Sequence, residues 1–75
     1  MNSKNIQDLF LNAARKRLVP VSIYVTNGYL INSAKVISFD SYAVLVEANG
    51  KKMLIYKHAI STITPEADIG PLQEE

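Results

Sequence analysis

The sequence has no cysteine and no tryptophan. Without cysteine there is no disulfide framework and no thiolate site for zinc or redox chemistry. The single histidine, His58, has no spaced partner of the kind that marks a metal centre. No apolar run approaches the roughly 18–20 residues that span a bilayer, and residues 1–5 lack the apolar stretch of a secretory leader. A soluble, cytoplasmic protein with no membrane partner is expected. Paired carboxylates at a catalytic spacing are missing. Ala48-Asn49-Gly50-Lys51-Lys52 contains Gly-Lys but lacks the earlier glycine and the following Ser/Thr of a phosphate loop. No catalytic residue, metal or cofactor is therefore implied.

What is present is a globular composition, 48% hydrophobic and 20% charged over 75 residues. A domain near 60 residues buries only about 60% of its unfolded surface and is marginal alone. With no disulfide or metal to staple it, self-association is the remaining route to stability.

The apolar period changes along the chain. Ile6 to Leu18 reads as a helix, with Asn5 as cap and Asp8 suited to the N-terminal dipole. Ile6, Leu9, Phe10, Ala13 and Ala14 share one arc, with Asp8, Asn12, Arg15 and Lys16 opposite. Arg17 falls within the apolar arc, near the helix end. Pro20 closes the helix. Val21, Ile23 and Val25 then alternate with Ser22, Tyr24 and Thr26, the pattern of a half-buried strand. Asn27-Gly28 predicts a type I′ hairpin turn. On the return strand, Tyr29 to Phe39, Ile31 and Val36 are five apart, so one face is kept only if a β-bulge lies between Asn32 and Lys35. A bend at Asp40-Ser41 follows, where the Asp40 carboxylate suits the turn's N–H groups. Tyr42 to Glu47 is apolar on both faces and reads as an interior strand. Asn49-Gly50 gives a second hairpin, Met53–Tyr56 and Ala59–Thr64 close the sheet, and Pro65 ends it. The fold class is mainly β with one N-terminal helix, its five short antiparallel strands bending into a small open barrel.

Charge divides the chain. Residues 1–65 hold eight basic residues against three acidic ones, a net of +5, whereas residues 66–75 carry four acidic residues and no basic one, −4. The reading is one folded domain over 1–65 and a short acidic flexible tail over 66–75. A basic body favours a polyanionic partner, and an acidic tail on a tether competes for its basic surface.

Four runs carry a family resemblance. They are Gln7-Asp8-Leu9-Phe10-Leu11-Asn12-Ala13-Ala14-Arg15, Val19-Pro20-Val21-Ser22-Ile23-Tyr24-Val25-Thr26-Asn27-Gly28, Ser38-Phe39-Asp40-Ser41-Tyr42 and Tyr56-Lys57-His58-Ala59-Ile60-Ser61-Thr62. In order and spacing they resemble Hfq, the bacterial Sm-like RNA chaperones, over about residues 6–65. The resemblance implies an Sm-like fold, in which a helix lies on a strongly bent five-stranded antiparallel sheet. It also implies a homohexameric ring closed by pairing the fourth strand with the fifth. The implied partner is single-stranded RNA: small regulatory RNA and mRNA, annealed on the ring.

It further implies three sites. A proximal face for U-rich RNA takes Gln7, Asp40, Ser41, Tyr42, Lys57 and His58. A ring to stack on, a cation and polar groups that read base edges and sugar suit unpaired nucleotides. The plainer reading is that Tyr42 fills a subunit interface and His58 is a hydrogen-bonded strand-end residue. A distal face for A-rich RNA takes Tyr24, Gly28, Tyr29, Leu30, Asn32 and Thr62. Here Leu30 departs from the family's frequent lysine, and Tyr24 has the plainer reading of an outward strand aromatic. A rim takes Asn12, Arg15, Lys16 and Arg17, against the plainer reading of a solvated basic helix face. The functional expectation is an RNA chaperone acting in post-transcriptional regulation. The alternative is a ring-forming small β-barrel that scaffolds proteins without RNA preference.

Overall fold

The computed structural model of the protein describes residues 6–72, so the expected Asn5 cap lies outside the described residues. Helix α1 spans Ile6–Lys16. It is followed by strands β1 (Val21–Val25), β2 (Leu30–Phe39), β3 (Ala43–Ala48), β4 (Lys51–Tyr56) and β5 (Ile60–Pro65), with one 3-10 turn over Lys57–Ala59. The helix stops two residues earlier than its periodicity predicts. Leu18 turns left-handed at φ 58°. Val19 N–H then donates to Ala14 O at 3.0 Å and Leu18 N–H to Arg15 O at 3.3 Å, a paired closure that satisfies the last carbonyls.

The buried helix face also differs from the predicted arc. Leu11 and Ala14 are fully packed and Phe10 leans on the core, whereas Ile6 is exposed. Leu11 and Ala14 are three apart and so lie on one line. The packed stripe is thus turned toward that line, which leaves Ile6 outside it.

All five strands are antiparallel in one sheet of order β4-β3-β2-β1-β5. β2 serves two neighbours in turn. Its first half pairs with β1 (Val21 with Ala34, Ile23 with Ile31) and its second half with β3 (Lys35 with Glu47, Val36 with Val46). Within the first half, between Ile31 and Ala34, lies the predicted bulge, where Asn32 and Ser33 add one residue and Ser33 takes φ 54°. The bulge returns Ile31, Ala34 and Val36 to the core side and bends the sheet. A second bulge, invisible in the apolar pattern, falls at Ile37, where Val36 faces Val46 and Ser38 faces Leu45. A third falls at Ser61 on β5.

The two Asn-Gly turns differ. Asn49 and Gly50 both have positive φ (54° and 77°), as a two-residue type I′ turn requires. At the first turn only Gly28 is positive, at 93°. Gly28 N–H donates to Val25 O and Val25 N–H to Tyr29 O. That is a three-residue loop ending in a glycine bulge, not the predicted type I′ turn. Asn27 Oδ1 accepts from Tyr29 N–H at 3.0 Å, so its side chain does the work of a backbone turn.

The core gathers Leu11 and Ala14 of the helix with Val21, Ile23, Ala34, Val44 and Val46 of the concave sheet face. β3 is interior, as its two-sided apolarity predicts. The first part of the acidic segment lies against the body. Glu66 N–H donates to Pro20 O at 3.0 Å, and Ile69 is buried. No helix among the described residues is long and apolar enough to cross a membrane.

Candidate nucleic-acid interface

At the helix end of the sheet, the β2–β3 corner is built on Asp40. Its Oδ1 accepts from Tyr42 N–H at 2.8 Å and Ala43 N–H at 2.9 Å, the turn role its sequence position predicts. These donors, Tyr42 first and Ala43 second, hold the carboxyl below its ordinary value of 3.8, with a lesser pull from Lys57. The corner leaves Tyr42 77% exposed, with Ser41 exposed beside it.

Lys57 N–H donates to Tyr42 O at 2.7 Å and ties this corner to the 3-10 turn. The Lys57 side chain runs inward. Its Nζ lies 2.7 Å from Asp8 Oδ1 and 5.4 Å from the centre of the Phe39 ring, and the side chain is only 9% exposed. His58 stays exposed and stacks on Tyr56, ring centres 6.0 Å apart and planes 20° from parallel. Gln7, exposed on the first helical turn, lines a cleft of about 190 Å³ with Phe10 and residues 60–63 of β5. The protomer thus links Asp40, Tyr42 and Lys57 through hydrogen bonds and sets His58 next in the chain. Gln7 faces β5, one residue from Asp8. The sequence pattern assigns neither Asp8, the partner of Lys57, nor Tyr56, the partner of His58, to this region. Asp8 lies 49 residues from its partner, a separation that no local pattern reports.

On the outer face of the sheet, Tyr24 of β1 stands in register with Thr62 of β5 and Leu30 of β2. One aromatic, one hydroxyl and one aliphatic side chain form a row across three strands. Ser61 Oγ donates to Tyr24 O at 3.1 Å and fixes the bulge beside this row. A Cβ on Gly28 would meet nothing within 4 Å, so its left-handed conformation, and not crowding, calls for glycine there. Asn32 is exposed on the same strand as Leu30. Tyr29, Leu30 and Asn32 also line an open cleft of about 460 Å³ whose other wall brings Asn49, Lys51 and Met53 from the second hairpin. Only the three-dimensional proximity of the two hairpins assigns Lys51 and Asn49 here.

On the helix flank, Arg15 donates to Asn12 Oδ1 at 2.6 Å, one helical turn away. Arg15, Lys16 and Arg17 are exposed. The Arg17 guanidinium lies against Gly70: a Cβ added at Gly70 would sit 2.8 Å from its Nη1. The acidic segment therefore passes the end of the basic helix face. Among the described residues, no group of three or more His, Asp or Glu is placed to hold a metal ion.

The comparisons with known proteins agree with one another. The family model described as "Hfq protein" matches residues 6–70. The RNA-binding protein Hfq of Clostridium botulinum (strain Eklund 17B / Type B) is 55% identical over 65 residues, spanning 87% of this chain and 83% of that protein. The RNA-binding protein Hfq of Clostridium acetobutylicum is 54% identical over 68 residues, with the same two coverages, 87% and 83%. A crystal structure of the pleiotropic translational regulator Hfq superposes with a TM-score of 0.75 at 38% identity, over 80% of this chain and 98% of that one.

Proposed function

The chain belongs to the Hfq family, and on that premise we propose that it is an RNA chaperone. It binds single-stranded RNA and pairs small regulatory RNAs with messages in the cytoplasm, with no bond-making chemistry of its own. One observation carries the reading beyond family membership. All four tyrosines are more than 40% exposed, while both phenylalanines pack against the core. A fold that exposes its tyrosines at both the corner and the outer sheet face offers stacking platforms for unpaired bases.

Two faces follow. U-rich RNA binds where Tyr42 and His58 are exposed, with Lys57, Gln7, Ser41 and the Asp40 turn supporting them. A-rich RNA binds along the Tyr24–Thr62–Leu30 row, with Gly28, Tyr29 and Asn32 beside it. Asn12, Arg15, Lys16 and Arg17 steer phosphates at the rim.

The working unit is a homohexameric ring in which β4 of one copy pairs with β5 of the next. Both strands are at the edges of the sheet, and β4 exposes Leu54 and Tyr56 there. Such edges invite pairing. A ring also gathers six weak copies of each contact into one avid site.

Native mass measurement followed by competition between labelled oligo-A and oligo-U tests this reading. The expected result is a six-copy assembly that binds both strands at once without mutual displacement, with affinity falling as salt rises. A stable monomer at micromolar concentration, or equal affinity for duplex DNA, overturns it. In an annealing assay, Arg15→Ala slows annealing more than it weakens A-rich binding.

A further inference from the structure

Glu66 follows the last residue of β5 and reaches across the end of β1 to the bulge of β2. Its carboxylate accepts from Ser33 N–H at 2.9 Å and from Ser33 Oγ at 3.2 and 3.3 Å, one distance to each oxygen. It also accepts from Ser22 Oγ at 3.1 Å. Ser33 is the bulge residue that holds a left-handed φ of 54° without being glycine. An L-residue keeps that conformation only where its surroundings fix it. The Ser22 hydroxyl has a second acceptor within reach, Asn32 Oδ1 at 3.4 Å. One hydroxyl proton serves one strong hydrogen bond at a time, and the closer, charged carboxylate is the better acceptor.

We infer that Glu66 is a positioning residue for RNA on the outer sheet face. Its carboxylate pins Ser33 in the β2 bulge and takes the Ser22 hydroxyl, which leaves the Asn32 amide oxygen open to a base edge. The inference rests on the RNA-binding reading above and adds to it a residue outside the stacking row. It also assigns a task to the first acidic residue after the sheet. That residue sets the geometry of the face where A-rich RNA lies, although its charge alone repels phosphate.

The two effects of Glu66 have opposite signs, so substitution separates them. Positions are compared by binding of fluorescent A-rich and U-rich oligonucleotides to the full-length assembled protein. Glu66→Ala removes both the charge and the acceptors. It is expected to weaken A-rich binding about three- to tenfold, the worth of one positioned hydrogen bond, and to leave U-rich binding unchanged. Glu66→Gln removes the charge but keeps an oxygen for Ser33 N–H and an amide for Ser33 Oγ. It is expected to bind A-rich RNA at least as well as the parent protein. If Glu66→Ala binds A-rich RNA as well as or better than the parent, the carboxylate acts only as a charge and the inference is overturned. Loss of both RNAs in equal proportion overturns it too, because the residue then serves the whole fold. A parent protein that ignores A-rich RNA while assembling normally overturns the functional reading first, and this inference with it.

Discussion

The two candidate faces are made in different ways. At the β2–β3 corner several of the charged and aromatic side chains already have a protein partner. Asp40 holds two backbone N–H groups, Lys57 is paired with Asp8 and lies by Phe39, and His58 stacks on Tyr56. On the outer sheet face, Tyr24, Leu30 and Thr62 are aligned by strand register, with side chains of Ser61 and Glu66 bonded to backbone at the two bulges beside them. Contacts among the site's own side chains hold the first face, whereas the strand ladder aligns the row on the second. Changes at the corner therefore mix binding with local order, whereas changes in the row alter the binding surface itself.

The largest expected effect erases the distinction. Ile23 is fully buried under the row and faces the helix across the core. Ile23→Ala should cost about 2–5 kcal/mol, seen as a lower midpoint in denaturant and a joint loss of both RNA affinities. Next come the tyrosines, which separate the faces. Tyr42→Ala should weaken U-rich binding and Tyr24→Ala A-rich binding, each by roughly 1–3 kcal/mol per stacked base. The measurement is a pair of titrations for each variant, and crossed losses would break the comparison.

A smaller effect probes the corner's internal pairing. Asp8→Asn releases Lys57 from its partner at a cost in stability on the order of 1 kcal/mol. The freed cation should raise U-rich affinity and steepen its salt dependence by about one phosphate contact. The smallest effect is the pH response of Asp40. Its folded-state pKa is lowered, so the stability it contributes is present above the ordinary value of 3.8 and is lost as pH falls through the lowered one. Protection of the Tyr42 and Ala43 amides against hydrogen exchange, taken relative to the intrinsic rate at each pH, should fall on acidification through that range, while that of the Tyr24 amide does not follow.

Much of this frame is legible in the chain because it depends on neighbours in sequence. The five-residue spacing of Ile31 and Val36 locates the first bulge, since strand faces alternate with a period of two. The second bulge escapes because Ile37 is apolar yet exposed, so the pattern gives no sign of a slip. Asn27-Gly28 and Asn49-Gly50 look alike on paper. They diverge because the first turn gains a residue when the Asn27 side chain caps Tyr29. Gln7, Tyr42, Lys57 and His58 come from family resemblance, whereas the Lys57–Asp8 pair requires the helix to be laid on the sheet first. The ordering of Glu66 and Ile69 is equally hidden, because acidity over residues 66–75 reads as solvation and two local anchors do not alter that average.

The sheet ends in two different strands, β4 on one side and β5 on the other. Copies that pair these edges meet head to tail, and such a joint has no symmetry to terminate it. Whether the chain of copies closes or winds on as a filament depends only on the rotation at each step. A substitution at Leu54 that tilts the joint would then change the number of members, or open a fibre, without making any single junction weaker.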